Sequence, residues 1–237
     1  MELYLITGFL GAGKTTFLKN FARQFAGRRL RLIINEFGRA GVDGTLLREL
    51  DAALDEISNG SIFCACRLDQ FEAALEQAAA DAPDVVLVEA SGLADPTNVR
   101  RVLAQFPAVS YQGSVCVADA ARLEKVFSTA RACPRQLAVS SLVLLNKTDL
   151  ATEAQCAEAK ALILRANPAA RIRRTQFGRF EPEWLSLIVP DVDVDEVLDM
   201  PDITLQKAVL QIRPTMPFTA LQKCLVQLAG ETWRIKG

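Results

Sequence analysis

Nine residues constrain this chain more than any others. The run Gly8-Phe9-Leu10-Gly11-Ala12-Gly13-Lys14-Thr15-Thr16 follows an apolar stretch at residues 3–7 and fits a glycine, four residues, then Gly-Lys-Thr. At average composition such a match arises by chance in about one chain in a hundred of this length. Here an expected strand precedes it and an expected helix follows, the context the chemistry requires. Glycines let backbone N–H groups close around phosphate oxygens, and the helix N-terminus adds a positive dipole. Lys14 supplies a mobile counter-charge for the β and γ oxygens, and Thr15 offers a hydroxyl to Mg²⁺. Gly8, Gly11, Ala12, Gly13, Lys14, Thr15 and Thr16 are therefore candidate phosphate-site residues.

Further apolar runs of strand length recur at residues 30–34, 85–88, 114–118 and 142–145, with helical stretches expected at 14–26, 67–80, 96–105, 120–130 and 152–166. This alternation predicts an α/β fold, a mainly parallel sheet sandwiched by helices. The third helix is expected to open on Asp95 and Pro96. A weaker strand at 171–175 and a short helix at 182–188 complete a nucleotide-binding domain over residues 1–190. The segment 191–203 is acidic and bounded by prolines, and reads as a linker. Residues 204–237 read as strand, helix and strand (204–212, 218–228, 231–236), a partial second domain, because about 35 residues cannot bury a core alone.

Two strand ends carry further chemistry. Val85-Val86-Leu87-Val88 ends in Glu89, and Gly92 lies three residues on. Beside a phosphate-binding loop, a carboxylate there supports Mg²⁺ and the glycine N–H meets the γ-phosphate. Leu142-Val143-Leu144-Leu145 ends in Asn146-Lys147-Thr148-Asp149. The Asp149 carboxylate can accept from N1–H and the 2-amino group of guanine, where adenine offers neither donor. Two charge-assisted bonds of about 1.5–3 kcal/mol each amount to roughly 10²- to 10⁴-fold discrimination. The Lys147 stem would lie against the base. The alternative for Asp149 is a helix cap.

Composition bounds the rest. Half of the 237 residues are apolar, and 27 basic side chains nearly cancel 28 acidic ones. That balance gives no footprint for nucleic acid or an anionic membrane. No apolar run reaches the roughly 18 residues that cross a bilayer, and the glycine-broken N-terminus is not expected to act as a signal peptide. The six cysteines are expected as thiols in a reducing cytoplasm. Histidine is absent, which removes the usual general base and the commonest metal ligand.

Together the phosphate loop, Asn35-Glu36-Phe37-Gly38 with Val42-Asp43-Gly44, Glu89-Ala90-Ser91-Gly92-Leu93-Ala94-Asp95-Pro96 and Asn146 to Asp149 resemble the CobW-like P-loop GTPases, related to HypB and UreG. The resemblance runs over roughly the first 190 residues. It implies a P-loop NTPase fold and slow GTP hydrolysis, with GTP or GDP and Mg²⁺ bound. It also implies coupling to metal delivery, with a client metalloprotein or cofactor-synthesis enzyme as partner. The residues after 204 look like the beginning of the family's C-terminal domain. The family typically has Cys-x-Cys-Cys after Asn-Gly; here Asn59-Gly60-Ser61-Ile62-Phe63-Cys64-Ala65-Cys66 keeps one match, Cys64, and adds Cys66. Two thiolates can bind Zn²⁺, Co²⁺, Ni²⁺ or Cu⁺, with Glu36 an extra candidate, although a closed site needs four ligands. The alternative is that both thiols are packing residues, as is expected of the other four cysteines. Glu36 or Asp43 is the candidate Mg²⁺-side or water-orienting carboxylate in a switch loop. With no obvious glutamine to position water, turnover is expected to be slow. The rival readings are a P-loop kinase for a small molecule and a GTP-binding regulatory scaffold.

Overall fold

A computed structural model describes residues 1–36, 52–58, 62, 68–190 and 217–231. Its centre is a seven-stranded sheet whose registered strand pairs are all parallel. In chain order the elements are β1 (Glu2–Thr7), α1 (Lys14–Ala22), β2 (Leu30–Glu36), β3 (Ala53–Ser58), α2 (Leu68–Asp81), β4 (Val85–Glu89), α3 (Val99–Leu103) and β5 (Ser110–Asp119). They continue with α4 (Leu123–Thr129), α5 (Ala132–Ala138), β6 (Leu142–Asn146), α6 (Glu153–Ala166), β7 (Arg171–Arg174) and α7 (Phe218–Glu231). Short 3₁₀ turns follow α1 and β7.

The strand order is β3-β2-β4-β1-β5-β6-β7. The chain builds outward from β1 to one edge, returns through β4, and then builds β5 to β7 on the other side. β1 is therefore the strand at which direction reverses, and the crevice beyond the carboxyl ends of strands at such a point is where open α/β sheets bind ligands.

The central strands are mostly apolar between their ends because both faces are covered. Successive β1 side chains alternate between cores: Tyr4 and Ile6 join one buried cluster, Leu3 and Leu5 the other, as the two-residue period requires. On the first face α1 contributes Phe17 and Phe21, stacked at 5.2 Å, and Phe180 closes on Phe21 at 4.9 Å. A third cluster packs α4, α5 and α6 against β5 and β6.

The expected strands and helices appear with shifted ends, and three differences have physical causes. β3, an edge strand reading Ala-Leu-Asp-Glu-Ile-Ser, has too few apolar residues to announce itself. Its pairing is helped by Arg31 of β2, buried, which donates to both Asp55 oxygens at 2.6 and 2.9 Å and reaches Asp81 of α2. The α5 helix was not expected because Pro134 interrupts its pattern, yet a proline in the first turn forfeits no helical bond. The third expected helix begins at Val99 rather than Pro96, because Asp95 accepts from the Thr97 N–H and hydroxyl and pairs with Arg135 instead. The expected linker at 191–203 and the strand at 204–212 lie outside the described residues, as does the expected strand at 231–236 beyond its first residue, Glu231, which instead ends α7, the helix expected at 218–228. Among the described residues no helix is long and apolar enough to cross a membrane.

Candidate functional site

The chain leaves β1 through Gly8, whose φ is +134° and whose added Cβ would fall 2.2 Å from the Val117 carbonyl oxygen of β5. Only glycine fits there. Gly11 and Gly13 are also left-handed, and Gly13 is the N-cap of α1. No side chain caps that helix and its first turn holds no acidic residue. Its N-terminus therefore presents backbone N–H groups and positive dipole to a cleft of about 600 Å³ lined by Lys14, Thr15, Thr16, Asn35, Glu89, Ser91 and Gly92. Such an end holds an anion. Lys14 is 8 % exposed and its Nζ donates to the Phe9 carbonyl at 3.4 Å, a long bond that a phosphate oxygen can replace.

Thr15 donates its hydroxyl to Glu89 Oε1 at 3.2 Å across the cleft floor, since β4 lies directly beside β1 with Ile6 opposite Glu89. A hydroxyl and a carboxylate so close form a hard-oxygen pair that suits Mg²⁺, an ion that also keeps phosphate and water ligands. The buried Ser91 hydroxyl makes no hydrogen bond with the described residues, so the cleft floor holds a polar atom awaiting a partner. Gly92 presses on the phosphate loop: a Cβ there would meet Leu10 N at 2.7 Å. Asn35, at the end of β2, joins three segments. Its Oδ1 accepts from Ser91 N at 3.3 Å and Ile62 N at 3.1 Å, and its Nδ2 donates to the Ile57 carbonyl at 3.0 Å.

The Asn146 to Asp149 turn is bonded to the same loop. Asn146 donates to the Ala12 carbonyl at 2.9 Å, and Lys147 Nζ donates to the Gly11 carbonyl at 2.7 Å. Lys147 also pairs with Asp119 at 2.7 Å, because Asp119 ends β5 opposite Asn146. Asp149 is exposed. It does not cap α6: Thr152 does, in a reciprocal capping box with Gln155, so that alternative for Asp149 is removed.

Thus the fold gathers Gly11, Gly13, Lys14, Thr15, Thr16, Glu89 and Gly92 around one cleft, with Gly8 and Ala12 in its loop and Asn146 and Lys147 bound to it. Glu36 ends β2. Asp43, Cys64 and Cys66 lie outside the described residues. Of the other cysteines, Cys116, Cys133 and Cys156 are buried, as packing residues would be, and Cys224 is half-buried. Burial pushes the Cys116 thiol up to about 12 and raises the Cys133 thiol well above its ordinary value, which keeps both as neutral thiols rather than metal-ready thiolates.

Sequence reasoning missed three partners. Asp119 carried the same signal as Glu89, a carboxylate ending an apolar strand. Gln136 carried none: it sits buried in α5 and donates to the carbonyls of Gly92 and Ala94 at 3.2 and 2.9 Å. Asn20 of α1 holds the loop after β7 through the carbonyls of Phe177 and Gly178.

Known proteins are similar to this chain. The zinc chaperone CobW of Pseudomonas aeruginosa is 32 % identical over 206 residues, covering 72 % of this chain and 55 % of that protein. The Zn(II)-bound crystal structure of the YjiA GTPase from Escherichia coli superposes with a TM-score of 0.52 at 22 % identity, covering 94 % and 69 % of the two chains. The hydrogenase maturation factor HypB of Archaeoglobus fulgidus gives 0.52 at 21 % identity, covering 78 % and 87 %. At these identities the two structures speak for the fold alone. The chain spans about half the length of most of the curated relatives it matches. Residues 2–174 match the CobW/HypB/UreG nucleotide-binding domain, which is the family its motifs resemble, and the chain belongs to that family.

Proposed function

We propose that this chain binds GTP with Mg²⁺ in the cleft beyond β1, hydrolyses it slowly, and couples nucleotide state to the handling of a metal cargo such as Zn²⁺, Co²⁺ or Ni²⁺. The observation that carries the reading is that Asn146 and Lys147 bond to the carbonyls of Ala12 and Gly11, so the base-reading turn and the phosphate loop form one unit. Loop N–H groups and Lys14 hold the phosphates, and Asp149 reads guanine. Thr15 and Glu89 would hold Mg²⁺, which supplies positive charge to the β and γ oxygens. The Ser91 hydroxyl and the Gly92 N–H, which line the same cleft, would serve the γ-phosphate. Among the described residues the cleft presents no glutamine to orient water, and histidine is absent, which supports a low intrinsic rate.

Relatives named zinc chaperones support zinc as the cargo to test first, with a client metalloprotein or cofactor-synthesis enzyme to receive it. Asn35 supports the coupling. One carboxamide oxygen accepts from Ser91, beside the phosphate site, and from Ile62, two residues before Cys64. A nucleotide that displaces Ser91 therefore acts on the chain leading to the cysteines. By linkage, zinc must alter GTP affinity by the factor by which GTP alters zinc affinity.

The test measures GTP and ATP binding with Mg²⁺ in the parent and Lys14→Ala, phosphate release without an added acceptor, and zinc binding to the GDP and GTP-analogue forms. Expected are GTP selectivity lost with Lys14, slow acceptor-independent release, and zinc affinities that differ between the two forms. Equal ATP and GTP affinity in the parent would remove the guanine reading, and identical zinc affinities would remove the coupling.

A further inference from the structure

Gln136 is a polar side chain where packing alone would place an apolar one. It is 1 % exposed on α5, beside Cys133 and Leu137 of the third buried cluster. Its Oε1 makes no hydrogen bond with the described residues, so half of a buried carboxamide goes unmet, a cost that an aliphatic residue of similar size would avoid. The compensation lies in the loop after β4. Gln136 Nε2 donates to the Gly92 carbonyl at 3.2 Å and to the Ala94 carbonyl at 2.9 Å. Both bonds fall on one turn, which the Ala94 N–H closes by donating to the Ser91 carbonyl at 3.0 Å.

The backbone of α5 is tied in turn to the strand that carries the phosphate loop. The Gln136 carbonyl accepts from the Ser140 hydroxyl at 2.8 Å, and that hydroxyl lies 3.1 Å from the hydroxyl of Ser114 and 3.3 Å from that of Thr7. Thr7 ends β1, directly before Gly8. Asn167 fixes the same helix end, its Nδ2 lying 3.2, 3.3 and 2.9 Å from the carbonyls of Leu137, Ala138 and Ser140. Gln136 therefore meets the foot of the phosphate loop through Ser140 and the loop after β4 through its own side chain. Gly92 sits between these restraints. It lines the cleft, a Cβ there would meet Leu10 N at 2.7 Å, and its carbonyl is held by Gln136.

We propose that Gln136 is a positioning residue for the γ-phosphate: it fixes Gly92 against the phosphate loop and so supports GTP binding over GDP without touching either nucleotide. This rests on the reading of the cleft as a nucleotide site in which the Gly92 N–H serves the γ-phosphate. A donor already in place needs no reorganisation when the phosphate arrives. A loop released from Gln136 must be ordered by the γ-phosphate itself, and that ordering lowers GTP affinity. GDP lacks the group that Gly92 would meet and loses nothing there.

The test compares the parent with Gln136→Met, which keeps the side-chain length and removes the donors, and Gln136→Asn, whose amide is too short to hold both carbonyls. Affinities for Mg²⁺–GDP and for the Mg²⁺ complex of a non-hydrolysable GTP analogue are measured by calorimetry well below the unfolding midpoint. Their ratio is the readout, because partial unfolding weakens both apparent affinities by the same factor. Each variant should weaken the analogue about tenfold relative to GDP, the effect of losing about one hydrogen bond to a charged group. Phosphate release at saturating GTP should slow as well. Either variant that folds is sufficient, and a ratio equal to the parent's overturns the proposal whatever happens to the midpoint, since a clamp serving stability alone would leave it there. Amide exchange at Gly92 in the parent separates the two ways of failing. Protection by the analogue and not by GDP, with an unchanged ratio in the variants, overturns the role of Gln136 alone. No protection by a bound analogue refutes the Gly92 reading and the proposal with it.

Discussion

Lys147 is held at two points, by the Gly11 carbonyl and by Asp119, each at 2.7 Å. Its φ of +60° sets a long side chain in a backbone region it disfavours, and the two charge-assisted bonds help fix it there. Asp119 is 9 % exposed, so its carboxylate is little screened. Removing its charge should free the ammonium without removing the Gly11 contact. We expect Asp119→Asn to weaken GDP binding about tenfold, from the loss of roughly 1.5 kcal/mol, the low end for a bond to a charged group. ATP affinity should fall with it, since Lys147 acts on the base face and not on the donors that mark guanine. Competition binding measures this directly; unchanged GDP affinity would show that Gly11 alone orients the lysine.

At the scale of elements, α5 anchors the loop that follows β4. Gln136 donates to the carbonyls of Gly92 and Ala94, and Arg135 pairs with Asp95. Gln136→Ala would strand two carbonyls at about 1–3 kcal/mol each, so a loss of about 2–6 kcal/mol is expected in urea unfolding. A loss below about 0.5 kcal/mol would mean that water replaces the amide. The Asp95 half of this anchor depends on pH. Burial pushes its carboxyl upward, but hydrogen bonds from Thr97 and Arg135 outweigh that and hold it below the ordinary carboxylate range. A carboxyl lowered on folding contributes stability above its unfolded value of about 3.9 and loses it as pH falls through the folded value. The stability difference between the parent and Asp95→Asn should therefore be full at neutral pH and shrink only below about pH 4.

For the whole molecule, three apolar clusters fill the two faces of one sheet, and the nucleotide cleft lies where that sheet changes direction. Ligand binding and global opening are then linked, because the site exists only while β1, β4, β5 and β6 are aligned. Cys116 and Cys133 report that opening from inside the third cluster. Burial raises both thiols, Cys116 to about 12, so at pH 8 only about one Cys116 in 10⁴ is a thiolate, and reagents must await unfolding. Labelling of these two cysteines, followed by peptide mass mapping, should be slow without ligand. With Mg²⁺–GDP at a hundred times its Kd it should be about a hundredfold slower, since the nucleotide binds only the folded form. Rates unaffected by GDP would mean that the cluster opens without disturbing the cleft.

The sequence by itself determined the phosphate loop, the turn from Asn146 to Asp149, and the apolar strands that carry them, because these depend on local chemistry. Glycines must occupy left-handed positions, and a strand buried on both faces must be apolar at every residue. Tertiary structure alone decided which strand stands beside which. Parallel strands are joined by crossovers whose span is not written in any one segment, so the reach of Asn146 to both the phosphate loop and Gly178 and the bridge through Asn35 could be seen only once β2, β4 and β6 lay around β1. The edge strand β3 stayed hidden because only Leu54 and Ile57 of its residues are large and apolar, while the Arg31–Asp55 pair that helps hold it is long-range. The ties of the loop after β7 stayed hidden because nothing in Thr175-Gln176-Phe177-Gly178 marks them; they are hydrogen bonds to residues 27 to 158 positions away in sequence.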